Sequence, residues 1–232
     1  MARHIPRIYC QNLSGQTFEI PDFQRQHLIS VLRLKEGSQF LAFNSKDGEW
    51  LCKIENIKKS SIKARKIEIK RQFKKAPNLA LAICIIKPDN MKLVIEKGTE
   101  LGVTDFYLIR SEYTNAICNE EKLKAIAILA SEQSERLDIP IIHSENSLKD
   151  FIDALPPHFK WFSAIERMKD PAELSDMKQE TGFIIGPEGG FSENEKELLK
   201  AKTTQILLSK NILRSETAAI VCLAAYNFLL AK

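Results

Sequence analysis

Two segments near the end of the chain carry residue types that bind ligands and stabilise charge. The first is the loop 185–191, IGPEGGF, and four of the nine glycines of the chain lie between residues 182 and 190. Glycine allows a positive φ and a close approach of the backbone to a ligand. At the start of a helix, such a loop can present several backbone N–H groups to a bound molecule. The alternative is a tight strand-to-helix turn that binds nothing.

The second segment is 208–218, LSKNILRSETA, which places Arg214 and Glu216 directly before a strongly apolar helix. A guanidinium is always charged at neutral pH, so Arg214 can stabilise negative charge on a neighbouring group. The alternative is that Arg214 and Glu216 form a surface ion pair, or that one of them caps the helix.

Motifs that define several other enzyme classes are missing. The sequence has no HExxH, GxSxG, GxGxxG or GxxxxGK[ST], and the apolar run 79–86 is followed by KPDN rather than by glycines. These gaps disfavour zinc and serine hydrolases, NAD-dependent enzymes and P-loop nucleotide hydrolases. The five cysteines form no CxxC pair and the four histidines stand alone, so we expect no metal site and no disulfide framework. Reduced thiols favour a cytoplasmic protein.

The residues from 79 onwards predict alternating strands and helices. Predicted strands cover 79–86, 104–110, 139–143, 161–165, 183–186 and 206–208, and predicted helices cover 88–101, 120–134, 147–154, 192–201 and 216–231. Ser192 and Glu195 have the spacing of a capping box at the start of the fourth helix. Repeated alternation predicts an open, mainly parallel sheet covered by helices. Ligands bind beyond the carboxyl ends of the strands in such sheets, and both loops lie there.

The first part of the chain has a different pattern. Apolar and polar residues alternate over 38–44, 49–57 and 61–70, which predicts strands of a small, half-exposed antiparallel sheet or barrel. The third strand places Ile62, Ala64, Ile67 and Ile69 on one face, with a slip between the two pairs. A short helix interrupts the strands between residues 22 and 32, and the basic, proline-containing stretch 73–78 predicts a linker.

Charge divides the chain in the same way. The net charge is +4, but residues 1–75 hold 16 Lys and Arg against 7 Asp and Glu, or +9, which leaves −5 for the remainder. This asymmetry favours a polyanion as partner of the first part, the alternative being a solvated lysine-rich face. No apolar run reaches the roughly 18–20 residues of a membrane-spanning helix. The opening MARHIPRIYC lacks the apolar core of a signal peptide, so we expect neither a membrane partner nor secretion.

Taken together and in order, several segments resemble one known family. They are EKGTELGV at 96–103, SEQSER at 131–136, IGPEGGFSENE at 185–195, ILRSETA at 212–218, RIY at 7–9 and HLISVLRLKEG at 27–37. The chain is similar over nearly its whole length to the ribosomal RNA small-subunit methyltransferase E family. That family belongs to the SPOUT class of knotted methyltransferases and methylates N3 of a uridine in 16S rRNA.

The resemblance implies an α/β fold in two domains. Residues 78–232 would form a carboxyl-terminal, trefoil-knotted SPOUT methyltransferase domain with a mainly parallel sheet. Residues 1–73 would form a small PUA-like β-barrel that binds RNA. The resemblance also implies S-adenosylmethionine as cofactor, 16S rRNA of the small ribosomal subunit as substrate, and a cytoplasmic homodimer with the knot at its interface and no metal.

The resemblance also implies roles for individual residues. Arg214 would stabilise negative charge on O2 or O4 of the uracil ring, and Glu132 and Glu216 are the two candidates for a general base. The residues that would hold the cofactor are Ile185, Gly186, Pro187, Glu188, Gly189, Gly190, Leu208, Ser209, Ile212, Leu213, Thr217 and Ala218. The residues that would bind RNA phosphates are Arg7, Arg25, Arg33, Lys58 and Lys59.

Two positions depart from the pattern of the family. Ser209-Lys210 stands where the family usually has Gly-Pro, and Glu135 stands where glycine is common. Serine disfavours a positive φ, so the first departure bears on the shape of the second loop. Two alternative functions stay open: another SPOUT reaction, such as ribose 2′-O methylation of tRNA, or a non-catalytic RNA-binding module for ribosome assembly.

Overall fold

The computed structural model describes residues 5–167, 172 and 180–230. The chain divides into two compact units: Met1–Lys75 together with Ser131–Ile139 form the first unit, and Ala76–Ala130 together with Pro140–Lys232 form the second. The segment Ser131–Ile139 therefore groups with the first unit, although in sequence it interrupts the second. None of the helices in the described residues is long and apolar enough to cross a membrane.

The first unit contains a five-stranded sheet with strand order β1-β3-β4-β5-β2. The strands are β1 (Arg7–Tyr9), β2 (Thr17–Pro21), β3 (Gln39–Asn44), β4 (Gly48–Ile57) and β5 (Ser61–Arg71). β1 pairs with β3 in parallel and the other pairings are antiparallel. A short helix, α1 (Asp22–Gln26), continues into a π-helical turn (His27–Val31), which confirms the predicted helix. The three predicted strands are confirmed as β3, β4 and β5, whereas β1, of three residues, and β2, in which Phe18 and Ile20 alternate with polar residues, were not predicted.

The predicted inner face of β5 is only half right. Ile62 and Ala64 are completely buried, but Ile67 and Ile69 are exposed at the surface. The strand keeps its period of two after Ala64, so the next inward position belongs to Lys66. The ammonium of Lys66 lies 4.6 Å from the centre of the Trp50 ring, a cation–π contact that accommodates the charge in the interior.

A buried arginine lies at the centre of the first unit. Only 8% of Arg7 is exposed, its Nε donates to Glu49 Oε1 over 2.7 Å, and its guanidinium carbon lies 4.6 Å from the centre of the Phe43 ring. Arg71 donates to the other oxygen of Glu49 over 2.7 Å. Burial alone would raise the pKa of Glu49, but hydrogen bonds from Arg71 and Arg7 outweigh it and hold the pKa below its ordinary value. Glu49 is therefore a charged carboxylate bound between two guanidinium groups.

The same arginine attaches the segment Ser131–Ile139. The guanidinium of Arg7 donates to the backbone carbonyls of Ser131, Glu132 and Arg136, at 3.4, 2.9 and 3.2 Å. Its donors are thus engaged inside the unit, which contradicts the prediction that Arg7 binds an RNA phosphate. The segment turns at Glu135, whose φ of +61° explains why glycine suits this position.

The second unit contains a six-stranded sheet whose pairings are all parallel, in the order β11-β9-β10-β6-β7-β8. The strands are β6 (Leu79–Cys84), β7 (Asp105–Arg110), β8 (Ile141–Ser147), β9 (Lys160–Ala164), β10 (Thr181–Ile185) and β11 (Thr204–Ile206). The helices are α2 (Pro88–Glu100), α3 (Glu120–Gln133), α4 (Leu148–Asp153), α5 (Glu193–Lys202) and α6 (Ser215–Leu230). The alternation predicted from the sequence is confirmed, with shifts of a few residues at the ends of elements. The predicted last helix extends to residue 231, which lies outside the described residues.

Local signals in the sequence explain the elements nearest the two loops. All six residues of β6 are buried, as expected for a central strand of a parallel sheet covered on both faces. The capping box is confirmed: Ser192 Oγ accepts the N–H of Glu195, and Glu195 Oε2 accepts the N–H of Ser192 over 2.9 Å. Helix α5 therefore starts at a fixed position directly after the loop 185–191, the glycine loop.

The internal role of Arg7 can be tested by substitution. Arg7→Ala removes one partner of a buried ion pair, which typically costs about 3–5 kcal/mol. Urea unfolding followed by circular dichroism should show this loss, whereas Lys59→Ala, at an exposed position, should change the free energy of unfolding by less than about 0.5 kcal/mol. A variant of Arg7 with unchanged stability but weakened RNA binding would return Arg7 to the set of RNA-binding residues.

Candidate active site

A cavity of about 1000 Å³ lies in the second unit, beyond the carboxyl ends of β9, β10 and β11. These three strands are neighbours in the sheet, so the segments that follow them emerge side by side. The cavity is lined by residues 164–167 after β9, by residues 185–191 after β10 and by residues 207–215 after β11. Its volume is in the range of small-molecule sites, which lie at this edge of open α/β sheets.

The glycine loop after β10 forms one wall of the cavity. The N–H of Gly190 donates to the carbonyl of Pro187 over 2.9 Å, which closes a turn, and Gly190 has a φ of +72°. A Cβ added to Gly190 would meet no atom within 4 Å, so this glycine faces open space. A Cβ on Gly186 would lie 3.0 Å from the Phe191 ring, so glycine is needed there for packing.

The segment 207–215 after β11, the arginine loop, forms a second wall of the cavity. Ser209 does not have a positive φ. Its Oγ accepts the N–H of Asn211 over 3.1 Å. A serine therefore suits this position without backbone strain. The carbonyl of Arg214 accepts the N–H of Ala218 over 2.8 Å, which starts α6, and the side chain of Arg214 is exposed at the cavity.

The cavity brings together eleven of the twelve residues predicted to hold a cofactor. The exception is Thr217, which is exposed on the first turn of α6 and does not line the cavity. The remaining eleven are Ile185, Gly186, Pro187, Glu188, Gly189, Gly190, Leu208, Ser209, Ile212, Leu213 and Ala218. The two loops that the sequence singled out therefore belong to one site.

The two candidate bases lie in different places. Glu216 is 7% exposed, it does not line the cavity, and its Oε2 has no hydrogen-bond partner among the described residues. Its carboxylate forms no ion pair with Arg214 in this part of the chain. Glu132 belongs to the first unit, where its Oε1 accepts the N–H of Tyr9 over 2.9 Å. Burial raises the pKa of Glu132 above its ordinary value.

The remaining predicted RNA-binding residues lie at the surface of the first unit. Arg33, Lys58 and Lys59 are exposed, and Arg25 is half-buried. The Nε of Arg25 donates to the carbonyl of Lys58 over 2.9 Å, and the ammonium of Lys58 lies 2.7 Å from Glu19. The pair of Lys58 and Glu19 is open to solvent on both sides, so its net contribution to stability is small and an RNA phosphate can compete for the ammonium.

The sequence did not single out part of the lining. The segment 164–167 follows β9, and four side chains of α5 also reach the cavity: Glu193, Lys196, Glu197 and Lys200. The strand 161–165 was predicted, but its position between β10 and β11 depends on a strand order that differs from the order in the sequence. The charged residues of α5 have the composition of any solvated helix face and give no signal of their own.

Two family models match this chain. The model described as RNA methyltransferase domain matches residues 74–227, and the model described as RNA methyltransferase PUA domain matches residues 20–67. With the parallel sheet and its cavity, these matches define an RNA methyltransferase.

Individual relatives narrow this class. The chain is 35% identical to ribosomal RNA small subunit methyltransferase E of Rickettsia conorii, over 96% of this chain and 95% of the relative, and 26% identical to that of Bacillus subtilis, over 91% and 90%. A crystal structure of ribosomal RNA small subunit methyltransferase E from Neisseria gonorrhoeae, bound to S-adenosylmethionine, has a TM-score of 0.87 at 28% identity, over 97% of this chain and 98% of that one. The chain belongs to the ribosomal RNA small subunit methyltransferase E family, which confirms the resemblance found in the sequence.

Proposed function

We propose that this protein transfers a methyl group from S-adenosylmethionine to N3 of a uridine in the 16S rRNA of the small ribosomal subunit. The observation that carries the proposal is the joining of the glycine loop and the arginine loop around one cavity, in a chain of this family. The relative from Neisseria gonorrhoeae binds S-adenosylmethionine, which supports the same cofactor here.

The residues of the cavity fit this cofactor. Apolar side chains such as Ile185 and Leu213 can contact an adenine ring, and the backbone of the glycine loop can hydrogen-bond its polar groups. Gly190 faces open space that a Cβ would enter, as expected where the backbone approaches a ligand. When bound, S-adenosylmethionine supplies an electrophilic methyl group on a positively charged sulfur.

Arg214 provides the charge that the reaction needs. N3 of uracil must lose its proton as it forms the new N–C bond, so negative charge develops on O2 and O4 of the ring. A guanidinium that faces the cavity can donate hydrogen bonds to one of these oxygens, and the interaction strengthens in the transition state. The side chain of Arg214 lines the cavity and is exposed there, which supports this role.

We propose Glu216, rather than Glu132, as the group that accepts the proton; because Glu216 is buried and does not line the cavity, this role requires its side chain to turn toward the cavity when RNA binds. Glu216 is two residues from Arg214 in the same unit, and one of its buried oxygens has no partner within the described residues. The carboxylate of Glu132 already accepts the N–H of Tyr9 in the first unit. In this proposal Glu132 holds β1 and does not take part in the chemistry.

We assign RNA binding to a PUA-like domain of residues 1–73 and methyl transfer to a knotted domain of residues 78–232. The charge of +9 over residues 1–75 supports the first assignment, because lysines and arginines release counterions when they neutralise phosphates. The proposed phosphate contacts are Arg25, Arg33, Lys58 and Lys59. Since its substrate is ribosomal RNA and its cysteines are all free, we place the protein in the cytoplasm.

We also propose that the protein is a homodimer. Val221, Ala224 and Phe228 follow one another at helical spacing along α6, and 74% of Phe228 is exposed. An apolar stripe of this kind on a helix surface is typical of a face that another protein covers. A second copy of the chain is the proposed partner.

Nucleoside analysis of the product tests the reaction, and Arg214 variants test the mechanism. Small-subunit RNA incubated with the protein and S-adenosylmethionine should yield 3-methyluridine after digestion, and a 2′-O-methylated nucleoside would contradict the proposal.

Arg214→Ala should slow single-turnover methylation by about 100- to 1000-fold, because one charge-stabilising donor is lost. Arg214→Lys should recover only part of the rate, because an ammonium lacks the planar fork of donors. A near-wild-type rate for Arg214→Ala at saturating RNA would remove Arg214 from the mechanism.

The glycine loop can be tested with a matched pair of variants. Gly190→Ala places a methyl group in the cavity, so calorimetry should show S-adenosylmethionine binding weakened by about 10-fold or more, a loss of 1.4 kcal/mol. Gly102→Ala is the control: Gly102 also has a positive φ, of +92°, and its Cβ also meets no atom within 4 Å, but it does not line the cavity. Both variants place a Cβ on a residue with a positive φ, so equal cofactor affinities would contradict the assignment.

Light scattering tests the dimer. The wild-type protein at micromolar concentration should have the mass of two chains, and Phe228→Glu should have the mass of one, because a charge in the apolar stripe cannot be buried without a partner. Leu129→Glu, at an exposed apolar residue of α3, should leave the mass unchanged. A monomeric wild-type protein would overturn the proposal.

A further inference from the structure

The loop after β7 brings an exposed tyrosine to the glycine loop. Residues 111–119 follow the carboxyl end of β7, at the same edge of the sheet as the cavity. Tyr113 lies on this loop and 45% of it is exposed. A Cβ added to Gly189 would lie 3.1 Å from Cβ of Tyr113, so the tyrosine packs directly against the wall of the cavity.

The backbone on both sides of Tyr113 is fixed. The N–H of Thr114 donates to the carbonyl of Ser111, and the N–H of Ser111 donates to Oγ1 of Thr114, both over 3.0 Å. The buried hydroxyls of the two residues lie 3.0 Å apart. The N–H of Glu112 donates to Glu195 Oε1 over 2.8 Å, while Glu195 Oε2 closes the capping box of α5. One carboxylate therefore connects the loop of Tyr113 to the helix that follows the glycine loop.

Tyr113 differs from the other tyrosines of the chain. Tyr9 packs against Phe43, Tyr107 stacks on His143, and Tyr226 packs against Phe183. Among the described residues the ring of Tyr113 alone of the four tyrosines has no aromatic partner. A large, half-exposed ring on a fixed backbone, beside a ligand cavity and without an aromatic partner, has a free face for a flat apolar ligand.

We infer that the ring of Tyr113 stacks on a pyrimidine base of the RNA, beside the cavity in which that base or its neighbour is methylated. The inference rests on the proposed function. Proteins that recognise single-stranded RNA stack unpaired bases on aromatic side chains, and the rigid loop reduces the entropy cost of ordering the ring. Tyr113 is therefore a positioning residue, and Glu195 supports it by fixing the loop.

The test uses three variants of the full chain. Tyr113→Ala removes the ring but keeps the Cβ that packs on Gly189, so kcat/KM for small-subunit RNA at saturating S-adenosylmethionine should fall about 5- to 100-fold. Tyr113→Phe keeps the ring and should stay within about threefold of the wild type, because an aromatic face suffices for stacking. Ile117→Ala, at an exposed apolar residue of the same loop, should behave like the wild type.

Separate readouts distinguish the possible failures. Calorimetry should show that all three variants bind S-adenosylmethionine like the wild type; a loss with Tyr113→Ala would make the ring a support of the glycine loop and overturn the inference. Filter binding to 16S rRNA should show weaker binding for Tyr113→Ala alone. This expectation does not depend on the proposed reaction, so it can be tested even if the wild type forms no 3-methyluridine. Equal RNA affinity and equal kcat/KM, or a change from dimer to monomer in Tyr113→Ala, would overturn the stacking.

Discussion

Parallel pairing of β9 with both β10 and β11 is the constraint on which the site depends. In sequence the segments 164–167, 185–191 and 207–215 are separated by 17 and 15 residues, and the strand order brings the carboxyl ends of the strands before them together. The hydrogen bonds of these strands fix where the glycine loop and the arginine loop start. The capping box of α5 and the first turn of α6 fix where the loops end, so short anchored segments shape the cavity.

How much the sequence could predict differs between the two units. In the second unit, apolar runs and helical spacing predicted the strands and helices, and both loops were identified by their glycines and by Arg214. Strand order was not readable, so the contribution of residues 164–167 was missed. In the first unit, β1 was missed because three residues show no period, and β2 was missed although Phe18 and Ile20 alternate with polar residues. Lys66 took the inward position expected for an isoleucine.

Arg7 shows why residue type alone is a poor guide to phosphate contacts. A basic residue in a basic segment has the composition of an RNA-binding group, but the nature of its neighbours decides its role. The ion pair of Arg7 and Glu49 could not be predicted from the sequence, because the two residues are 42 positions apart. The buried carboxylate of Glu49 holds Arg7 in the interior, while Arg71 pairs with it from the surface, where 41% of its side chain is exposed.

The grouping of Ser131–Ile139 with the first unit has a consequence for synthesis of the chain. The carbonyls that satisfy Arg7 come from residues 131, 132 and 136, which are made long after the last strand of the first sheet. A nascent chain that ends near residue 75 holds the whole sheet but leaves a buried guanidinium with unsatisfied donors. The first unit can therefore reach its final stability only after the ribosome has added all of α3 and the residues up to Arg136, although all of its strands are complete much earlier.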